Sequence, residues 1–143
     1  MPVLEIHLIE GRHEDAAIYA LLRDASSLYV NVLYPDMDPR PIERARAFAT
    51  LHRDTHWATG GLMAGDGGAD APYFTCLTLA GRPLDQLQAL LNGVTKLIVD
   101  HLGVEQSAVR GRIIPIDPGH WSIGGTVASV ARKLEVDGRQ EIA

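Results

Sequence analysis

The chain has 143 residues, of which 46% are hydrophobic and 22% are charged, with a formal net charge of −5. Its length fits one domain, and its negative charge argues against a nucleic-acid or anionic-membrane partner. No apolar run is long enough to span a membrane and no signal peptide is expected, while the single cysteine, Cys76, excludes an intramolecular disulfide and favours a cytoplasmic location.

The first half of the chain predicts a strand, a helix and a second strand. Apolar residues alternate with polar ones over residues 3–9, which is typical of a half-buried strand. Residues 14–33 place apolar side chains at helical spacing. The proline-rich segment 35–41 ends this helix, and a second strand is predicted over 44–51.

The second half repeats this order. We expect a strand over 73–79 and then a strongly amphipathic helix. Pro83 suits the first position of that helix, and Gly103 suits the residue after its end. A final strand is predicted over 109–116, with Cys76 as a small buried hydrophobic residue in the strand before it.

The two halves also carry the same landmarks in the same order. Pro2 and Arg12 recur 70 residues later as Pro72 and Arg82, and the later landmarks recur after 64 residues: Arg46 as Arg110, Trp57 as Trp121, and Gly60-Gly61 as Gly124-Gly125. Such self-similarity indicates an internal duplication. We therefore divide the chain into a first unit at 1–62, a glycine-rich linker at 63–71 and a second unit at 72–143, whose polar tail from 137 is expected to fray.

Two strand-helix-strand units predict an α/β fold. Each unit should cross over right-handedly and pair its strands in parallel. Side by side, the units would form a four-stranded sheet with both helices on one face. Because units of this size bury little core alone, neighbouring chains are expected to cover the other face.

The sequences PVLEIHLIEGR at 2–12, VR at 109–110 and GHWSIGG at 119–125 resemble the tautomerase superfamily, in its 4-oxalocrotonate tautomerase branch. The resemblance is to a fused member that holds two tandem units, with the tautomerase/MIF-like fold. Short members of that branch consist of one unit and assemble as hexamers. The resemblance thus implies a homotrimer and an enzyme that uses no cofactor.

Pro2 is the residue expected to act as the general base. Removal of Met1 would leave Pro2 with a secondary amine, and an α-amino group titrates near ~8. Burial or nearby cations lower this pKa, so the neutral amine becomes a competent general base near pH 7. Pro72 has only an amide nitrogen and cannot act in this way. If Met1 were retained, Pro2 would be an amide as well.

The resemblance implies that the matched arginines bind the substrate carboxylate and stabilise the oxygen on which enolate charge develops. A fixed guanidinium suits both roles. We expect Arg12 and Arg110 to act with Pro2, and the remaining matched side chains to bind substrate or form an apolar wall: Arg46, Arg82, Trp57 and Trp121. The alternatives are structural salt bridges for the arginines and core or interface packing for the tryptophans.

Three functions follow from this pattern. The leading one is a keto-enol tautomerase, an isomerase acting on a small anionic 2-hydroxymuconate-like dienol or phenylenolpyruvate-like acid. The second is a hydratase, dehalogenase or decarboxylase with a protonated Pro2, which needs a water-activating residue such as Glu10, His7 or Glu43. The third is a non-catalytic assembly or binding protein.

A metal site is not favoured. On a strand, His52, Asp54 and His56 would point the same way. However, His56 recurs as His120 without a second histidine or aspartate at matching spacing. Phosphate loops, nucleophile elbows and dinucleotide fingerprints are absent from the sequence.

Overall fold

The computed structural model describes residues 2–142, with side chains as far as Arg139. Met1, and with it the expected removal of Met1, lies outside these residues. The first unit contains β1 (Val3–Ile9), α1 (Asp15–Leu33), β2 (Arg46–His52) and a hairpin of β3 (Ala58–Thr59) and β4 (Leu62–Met63). The second unit contains β5 (Tyr73–Leu79), α2 (Leu84–Leu102), β6 (Arg110–Ile116), a hairpin of β7 (Ser122–Ile123) and β8 (Thr126–Val127), α3 (Ala128–Ala131) and α4 (Lys133–Ile142).

The four long strands form one sheet in the order β2-β1-β5-β6. Each unit pairs its own strands in parallel, and the antiparallel pair β1–β5 joins the units, with Val3 opposite Leu77 and His7 opposite Tyr73. This confirms the predicted four-stranded α/β architecture. It also means that the two units run in opposite directions across the sheet.

The core lies between the sheet and the two long helices. Alternate residues of β1 and β5, such as Ile6 and Phe74, are buried in one cluster with apolar residues of α1 and α2. Tyr29 of α1 donates its hydroxyl to the carbonyl oxygens of Val3 (3.1 Å) and Leu77 (3.2 Å), which ties the helix across the junction between the units. Burial raises the pKa of this phenol.

Three sequence predictions need correction. The tail from 137 is helical rather than irregular as far as Ile142, because it belongs to α4, which carries i,i+4 ion pairs between Lys133 and Asp137 (2.5 Å) and between Glu135 and Arg139 (3.6 Å). The second strand begins at Arg46 rather than 44, because Ile42–Arg44 forms a 3-10 turn.

The third correction concerns the histidines after β2. This strand ends at His52, and Asp54–His56 forms another 3-10 turn, so His52, Asp54 and His56 do not share one strand face. Within the expected linker at 63–71, Ala64–Asp66 forms a further 3-10 turn. No helix in the described range 2–142 is both long enough and apolar enough to cross a membrane.

Candidate active site

The antiparallel β1–β5 pair places Pro2 and Pro72 at opposite ends of the sheet. Pro2 precedes β1 and Pro72 precedes β5, and the register sets Val3 opposite Leu77 near the end of β5. Strands of this length, at about 3.3 Å per residue, separate the two ends by roughly 20 Å. Each proline therefore has its own set of neighbours.

At the first end, Pro2 is fully buried. Its carbonyl oxygen accepts a hydrogen bond from the backbone N–H of Arg46 at 3.0 Å. Strands β5 and β6 both finish at this end of the sheet, so Arg82 and Trp121, which follow them, belong to it. The fold thus gathers Pro2, Arg46, Arg82 and Trp121 at one end.

The second end repeats the arrangement around Pro72. The backbone N–H of Arg110 donates to the carbonyl oxygen of Pro72 at 3.1 Å. Arg12 and Trp57 follow β1 and β2, which finish here, and Arg12 donates Nη2 to the carbonyl oxygen of Ala64 at 2.8 Å. Within one chain the fold therefore separates Pro2 from Arg12 and Arg110.

Arg82 is the most enclosed of the four matched arginines. Its guanidinium donates to the carbonyl oxygen of Leu33, at the end of α1, and lies 4.8 Å from the ring centroid of Tyr34. Burial, reinforced by the positive charge of Arg139, lowers the pKa of Arg82 to about 10. The side chain remains a cation at neutral pH.

Arg46 and Arg110 are both exposed and are held in the same manner. Nη1 of Arg46 donates to the carbonyl oxygens of Glu43 (2.8 Å) and Ala45 (3.0 Å). Nη1 of Arg110 donates to those of Ser107 (2.5 Å) and Val109 (3.1 Å). In both units the 3-10 turn before the strand therefore positions the guanidinium through Nη1.

The two tryptophans differ in their surroundings. Trp57 donates Nε1 to the hydroxyl of Thr59 at 3.1 Å and packs edge-on against His52, with 5.4 Å between the ring centroids. Trp121 is half-buried, and its Nε1 is buried without a hydrogen-bond partner among the described residues. Trp121 is the one that shares the sheet end of Pro2.

The candidate water-activating residues are spread over both ends. Glu10 follows β1 at the Pro72 end, and His7 lies opposite Tyr73 near that end. Only Glu43, whose carbonyl oxygen accepts from Arg46, lies at the Pro2 end. Of these three candidates, Glu43 is therefore the one that shares the sheet end of Pro2.

His7 belongs instead to a polar chain of side chains on β1 and β2. Its Nδ1 lies 2.7 Å from Nε2 of His52, and its Nε2 lies 3.2 Å from Oε1 of Glu5, which also accepts from Thr50. Across the described side chains, as far as Arg139, no three His, Cys, Asp or Glu residues form a group that could hold a metal ion.

Sequence reasoning missed a cavity of about 580 Å³ at the Pro2 end of the helices. Arg82 and Arg139 line it, together with Tyr34 and residues of the proline-rich segment 35–41. Arg44 packs nearby, with its guanidinium 5.1 Å from the ring centroid of Tyr34. Arg44 and Arg139 have no counterpart in the duplication, so the repeat gave no signal for them. Arg139 lies in the tail that was expected to fray, so the sequence did not indicate it as a site residue.

Comparison with known proteins agrees with this fold. Residues 72–131 match the family model described as tautomerase enzyme. The chain is similar to a native fused 4-OT (4-oxalocrotonate tautomerase), with 29% identity, coverage of 90% of this chain and 97% of that one, and a TM-score of 0.79.

Two more distant structures share the fold. The F6 fused 4-OT, solved as an asymmetric trimer, is 22% identical over 90% of this chain and 98% of its own, with a TM-score of 0.79. Macrophage migration inhibitory factor from Toxoplasma gondii is 15% identical over 87% and 98%, with a TM-score of 0.70. No curated protein matches the chain significantly.

Proposed function

Because the chain belongs to the tautomerase superfamily as a fused member with two tandem units, we propose that it is a keto-enol tautomerase that needs no cofactor. Pro2 is the general base and acid of this reaction, after Met1 has been removed. Members of the superfamily are generally enzymes. In this chain, Pro2 is the proline that can act as a base, because Pro72 has only an amide nitrogen.

The observation that carries the proposal is the setting of Pro2. It is fully buried, and the fold brings Arg46 and Arg82 to the same end of the sheet. Burial disfavours an ammonium ion, so it would lower the pKa of a free Pro2 amine from the usual α-amino value of ~8. A neutral amine is then available at physiological pH.

The reaction moves one proton and leaves the number of atoms unchanged. The Pro2 nitrogen takes the proton from the 2-hydroxyl of the dienol, and the electron pair forms the 2-keto group. The resulting ammonium then delivers a proton to a carbon of the former dienol, where the displaced electron pair of the C=C bond forms the new C–H bond. Guanidinium groups bind the carboxylate and stabilise the oxygen that carries developing negative charge.

The arginines come from two sources in this proposal. Arg46 and Arg82 are supplied by the chain that supplies Pro2, with Trp121 as the apolar wall. The chain's own Arg12 and Arg110 lie at the other end of the sheet, roughly 20 Å from its Pro2. In a homotrimer, the Arg12 and Arg110 that act with this Pro2 come from another copy. Trp57, at the same far end, accompanies them.

Two observations support a homotrimer. The F6 and Q0 fused 4-OT structures are trimers. In addition, the outer strand β2 and helix α1 expose apolar side chains along one groove, including Tyr19, Phe48 and Leu51. Exposed apolar patches of this kind mark protein interfaces. Light scattering is expected to give about three times the chain mass of 15.5 kDa.

The substrate class is a small acid whose enol is conjugated, such as 2-hydroxymuconate or phenylenolpyruvate. Its conversion is followed by the change in ultraviolet absorbance. A second candidate reaction is hydration or dehalogenation by protonated Pro2, because Glu43 lies at the Pro2 end of the sheet. Halide release from 3-chloroacrylate separates the two, and the proposal expects rapid ketonisation with no halide released.

A further inference from the structure

The linker 63–71 folds back on the loop that carries Arg12. The guanidinium of Arg12 donates Nη2 to the carbonyl oxygen of Ala64 at 2.8 Å. In the next residue, Nε2 of His13 lies 2.6 Å from Oδ2 of Asp70, near the other end of the linker. The linker therefore contacts both the side chain of Arg12 and the residue that follows it.

The contact between His13 and Asp70 is largely shielded from water. The side chain of His13 is 9% exposed and that of Asp70 is 20% exposed. Oδ1 of Asp70 is buried and has no hydrogen-bond partner among the described residues. An enclosed carboxylate is unfavourable without a cation beside it, so His13 in its protonated form stabilises Asp70 in this position. The pair thus anchors the end of the linker beside Arg12.

The start of the linker is fixed against the β3–β4 hairpin. The backbone N–H of Ala64 donates to the carbonyl oxygen of Trp57 at 2.8 Å. The chain at Gly68 also passes close to the hairpin, because a Cβ there would lie 2.3 Å from the carbonyl oxygen of Leu62. The carbonyl group to which Arg12 donates is therefore held in a defined position.

The linker also reaches the indole of Trp57 through one side chain. Nε1 of Trp57 donates to the hydroxyl of Thr59 at 3.1 Å, and that hydroxyl donates to the carbonyl oxygen of Ala69 at 2.9 Å. Ala69 directly precedes Asp70. Arg12 and Trp57, which lie at the same end of the sheet, are thus both tied to the linker.

The second unit repeats the hairpin contact but not the contacts of Arg12. The backbone N–H of Ala128 donates to the carbonyl oxygen of Trp121 at 2.8 Å. However, Arg82, the counterpart of Arg12, donates to the end of α1 instead, and Pro83 follows it. A proline side chain cannot pair with a carboxylate. The contacts that the linker makes with Arg12 and with the residue after it are therefore specific to the first unit.

We propose that His13 and Asp70 are positioning residues that hold Arg12, through the folded linker, in the orientation in which its guanidinium binds the substrate carboxylate. This rests on the proposed function, in which Arg12 and Trp57 complete the site of Pro2 in another copy. Neither His13 nor Asp70 touches the substrate. The linker thereby belongs to the anion-binding part of the site, in addition to joining the two units.

The test compares two matched changes within the linker in steady-state ketonisation of phenylenolpyruvate. Asp70→Asn removes the charge that pairs with His13. It should raise KM roughly three- to ten-fold and leave kcat within about two-fold of wild type, because Arg12 binds the carboxylate in the ground state and the transition state alike. Asp66→Asn removes an exposed carboxylate from the same linker and should leave both constants unchanged. A variant that only unfolds in part would instead lose kcat at an unchanged KM, and that result for Asp70→Asn would overturn the proposal.

Two double variants test whether the effect passes through Arg12. His13→Gln should raise KM as Asp70→Asn does, and the variant with both changes should resemble either single one, because the two residues act as a pair. In an Arg12→Gln background, Asp70→Asn should leave kcat/KM unchanged. A further loss in that background would overturn the proposal, as would additive effects of His13→Gln and Asp70→Asn or a wild-type KM in Asp70→Asn.

The contact of the linker with its surroundings is also measured without turnover. In proton–nitrogen NMR spectra, Trp57→Phe identifies which of the two indole N–H signals belongs to Trp57. Asp70→Asn should shift this signal and leave that of Trp121 in place. Wild type without tautomerase activity would refute the proposed function. Active wild type, with an unmoved Trp57 signal and an unchanged KM in Asp70→Asn, would refute the positioning role alone.

Discussion

The backbone N–H of Arg46 donates a hydrogen bond to the carbonyl oxygen of Pro2 across 3.0 Å. Arg110 and Pro72 make the matching contact at 3.1 Å in the second unit. The two prolines therefore make the same backbone contact, but their nitrogen atoms differ in chemistry. Pro2 can become an amine when Met1 is removed, whereas Pro72 remains joined to Ala71.

The first prediction concerns active sites shared between subunits. Pro2→Ala and Arg110→Gln should each lower kcat/KM about 10²-fold or more, because each removes one part of the machinery. In trimers assembled from both variants, an intact Pro2 of one chain can meet an intact Arg110 of another. Co-refolded mixtures should therefore regain activity that neither variant has alone.

Native mass spectrometry of the same mixtures supplies the control, because it shows whether mixed trimers have formed. Mixed trimers without any recovered activity would contradict the assignment of Arg110 to another copy. Full activity of Arg110→Gln alone would show that Arg110 does not take part in catalysis.

The second prediction compares two glycine substitutions. A Cβ at Gly111 would lie 2.1 Å from the ring of buried Phe74, whereas a Cβ at Gly138 in α4 meets nothing within 4 Å. Overpacking should make Gly111→Ala less stable by about 1–3 kcal/mol. Gly138→Ala should be more stable by about 0.5–1 kcal/mol, because alanine favours the helix. Urea unfolding of both variants measures the difference.

The third prediction concerns Cys76. Burial raises the pKa of its thiol to about 12 from 9.0. Above pH 9 the unfolded chain loses this proton while the native chain keeps it, so stability should fall as the pH rises, at a slope approaching about 1.4 kcal/mol per pH unit. Burial also raises the pKa of Tyr29, but the pKa of tyrosine in the unfolded chain is 10.0, so its effect on stability begins at higher pH.

Urea midpoints at pH 8, 9 and 10 measure this slope. Cys76→Ala should flatten it, whatever its absolute stability. Iodoacetamide at pH 8 should leave the native thiol unmodified and alkylate it fully in urea. A thiol that reacts equally fast in both conditions would show that Cys76 is not buried.

The main elements could be predicted because their signals are local. The strands Val3–Ile9 and Tyr73–Leu79 have the predicted bounds, and Gly103 ends α2 in the left-handed conformation at φ 67°. Alternation of apolar residues and glycine caps act within a few residues, so a single sequence reveals them.

The arrangement of the candidate site could not be predicted in the same way. Whether Arg82 or Arg12 shares a sheet end with Pro2 depends on the antiparallel β1–β5 pairing, which joins distant residues. The grouping of Arg44 with Glu135 and Arg139 depends on where α4 packs. Such contacts follow from tertiary packing, which leaves no periodic pattern in the sequence.

The most direct test of the central claim compares two matched variants, Pro2→Ala and Pro72→Ala, in ketonisation of phenylenolpyruvate. Intact mass spectrometry first establishes that Met1 is absent from the protein used. Pro2→Ala should lose about 10²-fold or more of the rate, and Pro72→Ala should keep a rate near that of wild type. Equal rates in wild type and Pro2→Ala, or equal losses in the two variants, would contradict the assignment of catalysis to the one proline that can have a free amine.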